Sequence, residues 1–245
     1  MEDQNKKLQA QAKNWVKENR KKLITKFCDE KLYPRVDDPV TIFMAGTPGA
    51  GKTELSVNLA KEFGGGFVRI DADDIREMMR PLGYNGQNSD IFQSAVTKAV
   101  NQLFDFANRK GGQNVILDGT FAYGDWRVNV ERSIAHARTV EIYYLYQDPI
   151  RAWEYVSIRA AKQGGRHVPV DVFLDSYQLS IENVKKAKEV FKDKVTIYFA
   201  QNDYQKNIEK IVVDVDDIDK YLPKMYNVVE LKKLLHERTN TKPQS

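Results

Sequence analysis

Residues 46–53 read Gly46-Thr47-Pro48-Gly49-Ala50-Gly51-Lys52-Thr53, a full match to the phosphate-binding pattern G-x-x-x-x-G-K-[S/T]. Before it runs Val40-Thr-Ile-Phe-Met-Ala45, an apolar stretch that reads as a buried strand. After it, Glu54–Phe63 puts Leu55, Leu59 and Phe63 on one side of a helix. Strand, glycine loop and helix in succession are the context that makes the pattern a site. The glycines let backbone N–H groups point inward around a polyphosphate, and the helix adds its positive end. Lys52 would reach the β- and γ-phosphates and the Thr53 hydroxyl would hold Mg²⁺. The expected nucleotide site is therefore Gly46 through Glu54, with ATP and Mg²⁺ as its cofactors.

Outward from this loop, strands and helices alternate. A first helix is expected over residues 4–31, with Leu8, Ala12, Trp15, Val16, Leu23 and Phe27 on one stripe. Tyr33–Pro39 breaks regular structure ahead of the first strand. Further strands are expected at Phe67–Asp71, Asn114–Asp118, Thr139–Tyr146 and Val195–Ala200, with a sixth segment at Ile208–Val213. Between them fall a short helix from Asp73 and a long one capped by Ser89 and closed by Gly111-Gly112. Others are expected from Asp125, over Ile150–Gln163, over Asp171–Phe191 and over Val229–His236. This alternation predicts an α/β fold, a parallel sheet of about five strands covered by helices on both faces, with an extra N-terminal helix. Three regions follow: an N-terminal helical extension (1–38), the nucleotide-binding domain (39–237) and a disordered tail (238–245).

Composition narrows the class. The chain has 245 residues, 42% hydrophobic and 29% charged, in the range of a globular protein. A net charge of +4 suits a phosphorylated small substrate as well as a nucleic acid, and decides nothing. The one cysteine, Cys28, excludes an intrachain disulfide. The absence of a long apolar run and the polar N-terminus argue against a membrane span or signal peptide, so a cytoplasmic location is expected.

In parallel sheets ligands gather at the carboxyl ends of the strands, which directs attention to three further clusters. Asp71-Ala-Asp73-Asp74-Ile-Arg76 follows the second strand. Asp73 is the expected general base, aligning an attacking hydroxyl with the γ-phosphorus, while Asp71 or Asp74 can serve simply as a helix cap. Arg76, one turn on, would hold the acceptor. Asp118-Gly-Thr120 follows the third strand, and Asp118 and Thr120 are expected to bind Mg²⁺-bound water or acceptor hydroxyls. Last come Arg151, Arg159, Lys162, Gly164-Gly165, Arg166 and His167. Arg159 and Arg166 are expected to neutralise the moving phosphoryl group from a glycine-flanked lid. Arg151 and Lys162 read as a solvated basic face and His167 as a turn residue.

With these clusters in order, the chain resembles the zeta toxin family, relatives of the P-loop small-molecule kinases. The likeness is carried by Gly46–Thr53, Ile70-Asp-Ala-Asp73 with Arg76, Leu117-Asp-Gly-Thr120, Arg159 and Gly164-Gly-Arg-His-Val-Pro169. It implies a P-loop kinase-like fold and transfer of the ATP γ-phosphate to a hydroxyl of UDP-N-acetylglucosamine. It also implies Asp73 as base, Lys52 and the lid arginines Arg159 and Arg166 as catalytic residues, and an antitoxin as protein partner. Three features depart from the pattern. Asp118 stands where the best-known toxins have Glu, the two lid arginines are closer together, and Gly-Gly-Arg-His-Val-Pro is a divergent form. Two alternatives stay open: a polynucleotide 5′-hydroxyl kinase, suggested by Asp73-Asp74-Ile-Arg76, and a nucleotide-dependent switch without acceptor chemistry. The balanced charge argues against nucleic acid as the partner.

Overall fold

Six strands make one sheet in the computed structural model, which describes residues 2–109, 112–162, 165–203 and 208–240. They are β1 (Val40–Ala45), β2 (Phe67–Asp71), β3 (Asn114–Asp118), β4 (Thr139–Tyr146), β5 (Thr196–Asn202) and β6 (Ile208–Val212). The helices are α1 (Glu2–Glu18), α2 (Arg20–Phe27), α3 (Lys52–Glu62), α4 (Ala72–Glu77) and α5 (Ser89–Ala107). They continue with α6 (Trp126–Ala135), α7 (Pro149–Ala161), α8 (Val170–Phe191) and α9 (Val228–Asn240).

The strand order is β2-β3-β1-β4-β5-β6, with β1 to β5 parallel. β1 is central: Ile42 lies opposite Ile116 of β3 and Glu141 of β4. Its side chains alternate between two cores, as the pleat requires. Phe43 and Ala45 enter the larger core with α1, α2, α5, α6 and α8 residues, while Ile42 and Met44 join Leu55 of α3 on the opposite face. The expected two-sided cover is thus present.

Four features differ from the sequence expectation. β6 runs antiparallel to β5, because the connection over residues 203–207 is too short for the crossover that a parallel neighbour needs. The first helix is two helices, divided at Asn19, whose side-chain amide donates to the Trp15 carbonyl and competes with the helical ladder. Ser89 opens α5 without capping it, its hydroxyl donating instead to the Gly86 carbonyl. α9 continues to Asn240, so residues 238–240, read as tail, are helical. Residues 241–245, Gly111, Gln163 and Gly164 lie outside the described residues.

The N-terminal helices belong to the main core. Ala12, Val16, Leu23 and Phe27 are buried in it, and α1 lies along α5. We therefore expect Leu23→Ala to cost about 2–5 kcal/mol, the range for a fully packed leucine. A urea melt checks this; a loss under about 0.5 kcal/mol would mean a segment only draped on the surface.

Candidate active site

The loop between β1 and α3 is bent by three positive-φ glycines, Gly46 (+124°), Gly49 (+81°) and Gly51 (+94°). At Gly49 a Cβ would lie 2.2 Å from the Ala152 carbonyl oxygen of α7, so the loop packs directly on that helix's backbone. Two more ties hold it. The Gly46 N–H donates to the Thr120 carbonyl (3.2 Å) after β3, and the Asn202 amide at the end of β5 donates to the Ala50 carbonyl (2.6 Å). α3 starts immediately after Gly51, which has no side chain to cap it, so its first turn is suited to an anion.

Lys52 is buried at this point, its Nζ donating to the Thr47 carbonyl at 2.5 Å. Burial lowers its pKa to about 8, only partly opposed by Asp118, with Arg159 adding repulsion. A buried ammonium whose one hydrogen bond among the described residues is to a carbonyl is prepared to exchange it for phosphate oxygens.

Asp71 and Asp118 are register partners at the carboxyl ends of β2 and β3, which brings two carboxylates side by side. Asp71 caps α4, accepting from the Asp73 N–H (2.8 Å). Burial and the neighbouring Asp118 and Asp73 push its pKa up to about 7. Asp118 Oδ2 accepts from the Ser56 hydroxyl (2.7 Å) and from Arg69 Nε (3.1 Å). Arg69 also meets Asp71 and Asp74. Thr120 contributes its carbonyl to Gly46, and its turn is pinned by Phe121, a buried residue at φ +58° whose carbonyl accepts from Asn183 of α8.

Asp73 collects three arginines from three places. Arg76 Nη1 of α4 donates to Oδ1 at 2.8 Å, and Arg166 Nη1, in the segment after α7, to the same oxygen at 3.2 Å. Arg159 Nη1 of α7 lies 3.8 Å from Oδ2. Burial alone would raise the Asp73 pKa, but Arg166, Arg76 and Arg159 outweigh it and hold the carboxyl below its usual range. Arg76 is only 1% exposed, with Nη2 on Gln93 (2.6 Å) and Nε buried without a hydrogen-bond partner among the described residues.

The remaining residues separate from this cluster. Arg151 pairs with Glu154 at 2.8 Å, Lys162 is exposed at the end of α7, and His167 is exposed with its N–H on the Gly86 carbonyl. A Cβ on Gly165 would lie 1.8 Å from the Arg159 carbonyl oxygen, so this glycine serves close packing.

The donor set fits a magnesium ion that arrives with phosphates. No three His, Cys, Asp or Glu among the described residues converge tightly enough to hold a metal by themselves. Thr53, on the first turn of α3, is exposed at the mouth of the glycine cradle. Both side-chain partners of Asp118 use Oδ2, leaving Oδ1 without one among the described residues.

Comparison with known proteins now bears on this arrangement. The family model described as Zeta toxin matches residues 23–210. The chain belongs to the zeta toxin family. One similar solved structure comes from the PezAT chromosomal toxin–antitoxin system of Streptococcus pneumoniae: TM-score 0.63, 18% identity, 94% of this chain and 96% of that one covered. Another is AvrRxo1-ORF1:-ORF2 with ATP, at TM-score 0.60 and 13% identity, covering 91% of this chain and 72% of that one. The same complex with sulphate ions gives TM-score 0.61 and 14% identity, over 98% and 80% of the two chains. At such identities these likenesses speak for the fold. No curated protein matches the chain by sequence.

Within this zeta toxin family member, sequence reasoning missed Arg69, Ser56, Gln93 and Asn202. Arg69 left a signal, a cation inside the otherwise apolar run Phe67-Val-Arg-Ile70, where partial burial calls for a carboxylate nearby. The other three are ordinary polar residues whose partners lie far along the chain.

The Lys52 value has a measurable consequence. With its pKa lowered to about 8 by burial, the lysine of the free protein is half-deprotonated near that pH. Phosphates beside it would raise that value, so nucleotide binding near pH 8 should take up a fraction of a proton. Calorimetry in buffers of different ionisation enthalpy reads the uptake, and the share that belongs to Lys52 should fade about two pH units lower, where the lysine is already charged. It should also vanish in Lys52→Ala.

Proposed function

We propose that this chain is an ATP- and Mg²⁺-dependent kinase that moves the γ-phosphate to a hydroxyl of a small acceptor, with UDP-N-acetylglucosamine as the best candidate. Family membership and the P-loop kinase-like fold support a phosphotransferase. The observation that carries the further reading is Asp73 within reach of Arg76, Arg159 and Arg166, beside the loop that presents Lys52.

Phosphoryl transfer runs through a loose transition state, so alignment and charge stabilisation matter more than base strength. Asp73, held ionised by its arginines, can accept the hydrogen bond of an acceptor hydroxyl, orient its oxygen and take the proton as transfer proceeds. Lys52 would hold the β- and γ-phosphates, with the N–H groups of Gly46 to Glu54 around the chain of phosphates. Magnesium bound with the nucleotide supplies charge neutralisation, and Thr53 is the residue to hold it. Arg159 and Arg166, in contact with Asp73 in the free protein, would turn to the transferring group, while Arg76 would keep Asp73 in place. Asp118 and Thr120 line the acceptor side.

An antitoxin partner belongs to the same proposal. The PezAT structure is described as a toxin–antitoxin system, and AvrRxo1-ORF1 is seen with its ORF2 partner.

Transfer of labelled phosphate from ATP tests the reading, with UDP-N-acetylglucosamine, an oligonucleotide with a free 5′-hydroxyl and a metabolite extract as separate acceptors. The nucleotide sugar should be phosphorylated, and Asp73→Asn should cut kcat by about 10²–10⁴-fold while nucleotide binding survives. Label on the oligonucleotide alone would make it a polynucleotide kinase. Full activity and full cellular effect in Asp73→Asn would overturn the kinase mechanism.

A further inference from the structure

Arg76 is the most deeply buried of the three cations around Asp73, and its hydrogen bonds run to two helices. Nη1 donates to Asp73 Oδ1 on its own helix, α4, at 2.8 Å, and Nη2 donates to Gln93 Oε1 on α5 at 2.6 Å. Arg166 Nη1 donates to the same Asp73 oxygen at 3.2 Å, so two guanidiniums of like charge crowd one atom. Burial and then Arg166 lower the Arg76 pKa, against the pull of Asp73. The amide of Gln93 is itself oriented. Its Nε2 donates to Thr97 Oγ1, one turn on, at 3.2 Å, which leaves Oε1 toward the guanidinium. A flipped amide would set NH₂ against guanidinium, two donors with no acceptor between them. Gln93 and Thr97 are both exposed, so their side chains add little to the core that α5 helps to form.

We infer that Gln93 is a positioning residue: its amide oxygen pins Arg76 against Asp73, and its neutrality leaves the charge of the guanidinium to that carboxylate. The need for a pin follows from repulsion. Without an acceptor on α5, Arg76 is free to ease away from Arg166, and Asp73 loses its hold on the one arginine of its own helix. The need for a neutral pin follows from charge. A carboxylate at position 93 would grip Nη2 more strongly, yet it would divide one positive charge between two acids and add a negative charge near Asp73. The other groups that face Asp73 are Arg159 from α7, Arg166 from the segment after it and Asp71 at the start of α4, while Tyr84 faces Arg76. The hydrogen bond from α5 is the uncharged member of this set. That Asp73 serves as the base rests on the kinase reading, whereas the pin and its neutrality rest on the geometry.

The test is solution nuclear magnetic resonance of the full-length, nucleotide-free protein with isotope-labelled arginine and aspartate, in wild type, Gln93→Met and Gln93→Glu. Arg76 and Asp73 signals are assigned by their loss in Arg76→Lys and Asp73→Asn. No ATP or acceptor is present, so failure of the kinase reading would leave these results intact. In wild type the two Nη groups of Arg76, each held by its own acceptor, should give separate signals. Gln93→Met keeps the side-chain length and loses the acceptor, and its Arg76 signals should merge as the guanidinium turns freely. Gln93→Glu should keep them separate while the protonation curve of the Asp73 carboxyl moves up by about half a pH unit or more. A role in packing alone would move neither. Arg76 signals that stay separate in Gln93→Met, or an Asp73 curve that stays at its wild-type position in Gln93→Glu, would each overturn the inference. Both substitutions fall on an exposed helical position and use good helix formers, so the folded protein is available for the measurement.

Discussion

The burial of β1 between β3 and β4, with an apolar core on each face, is the constraint on which the rest depends. A central parallel strand must leave the sheet at its carboxyl end, and there it meets the ends of β3 and β4. The glycine loop is therefore held on several sides: Thr120 after β3, Asn202 from β5, and the α7 backbone against Gly49. Its shape is set before any nucleotide arrives, which lowers the ordering cost of binding.

The same geometry concentrates charge. Strand register sets Asp71 beside Asp118, and the cap of α4 brings Asp73 close behind. Such a cluster is tolerated only with cations among it, and the structure divides them into two groups. Arg69 neutralises the strand-end pair, and Arg76, Arg159 and Arg166 surround Asp73. The outcomes differ in sign: Asp71 is raised and Asp73 lowered, so two neighbouring carboxylates receive different chemistry from their surroundings. The first, Arg69, is half-buried and sits on a strand of the sheet. Two members of the second, Arg159 and Arg166, come from the end of α7 and the segment after it.

Much of this was legible in the residues. β1 to β4 fall within the stated bounds because buried parallel strands read as continuous apolar runs, and the phosphate loop declares its chemistry in its glycines and lysine. Residues that act through local backbone geometry, such as Asp71 at the start of α4, could be placed from neighbours alone. Less legible were features that turn on one local alternative. The division of the first helix depends on whether the Asn19 amide finds the Trp15 carbonyl, and the direction of β6 on the length of its connection. The glycine beside Arg166 read as a hinge, yet its missing side chain also makes room for the Arg159 carbonyl.

The sequence by itself determined the order of elements and set the glycine-loop pattern between the first strand and its helix, since these follow from periodicity and from residue chemistry at short spacing. Only the tertiary structure decided which charges share a site. Asp73 and Arg166 are 93 residues apart in the chain, and Arg69 and Asp118 are 49 apart. No pattern over a few residues can encode such pairs. They are chosen by sheet register and by the packing of α7 on the loop, because a buried charge must take its counter-ion from whatever the fold brings near.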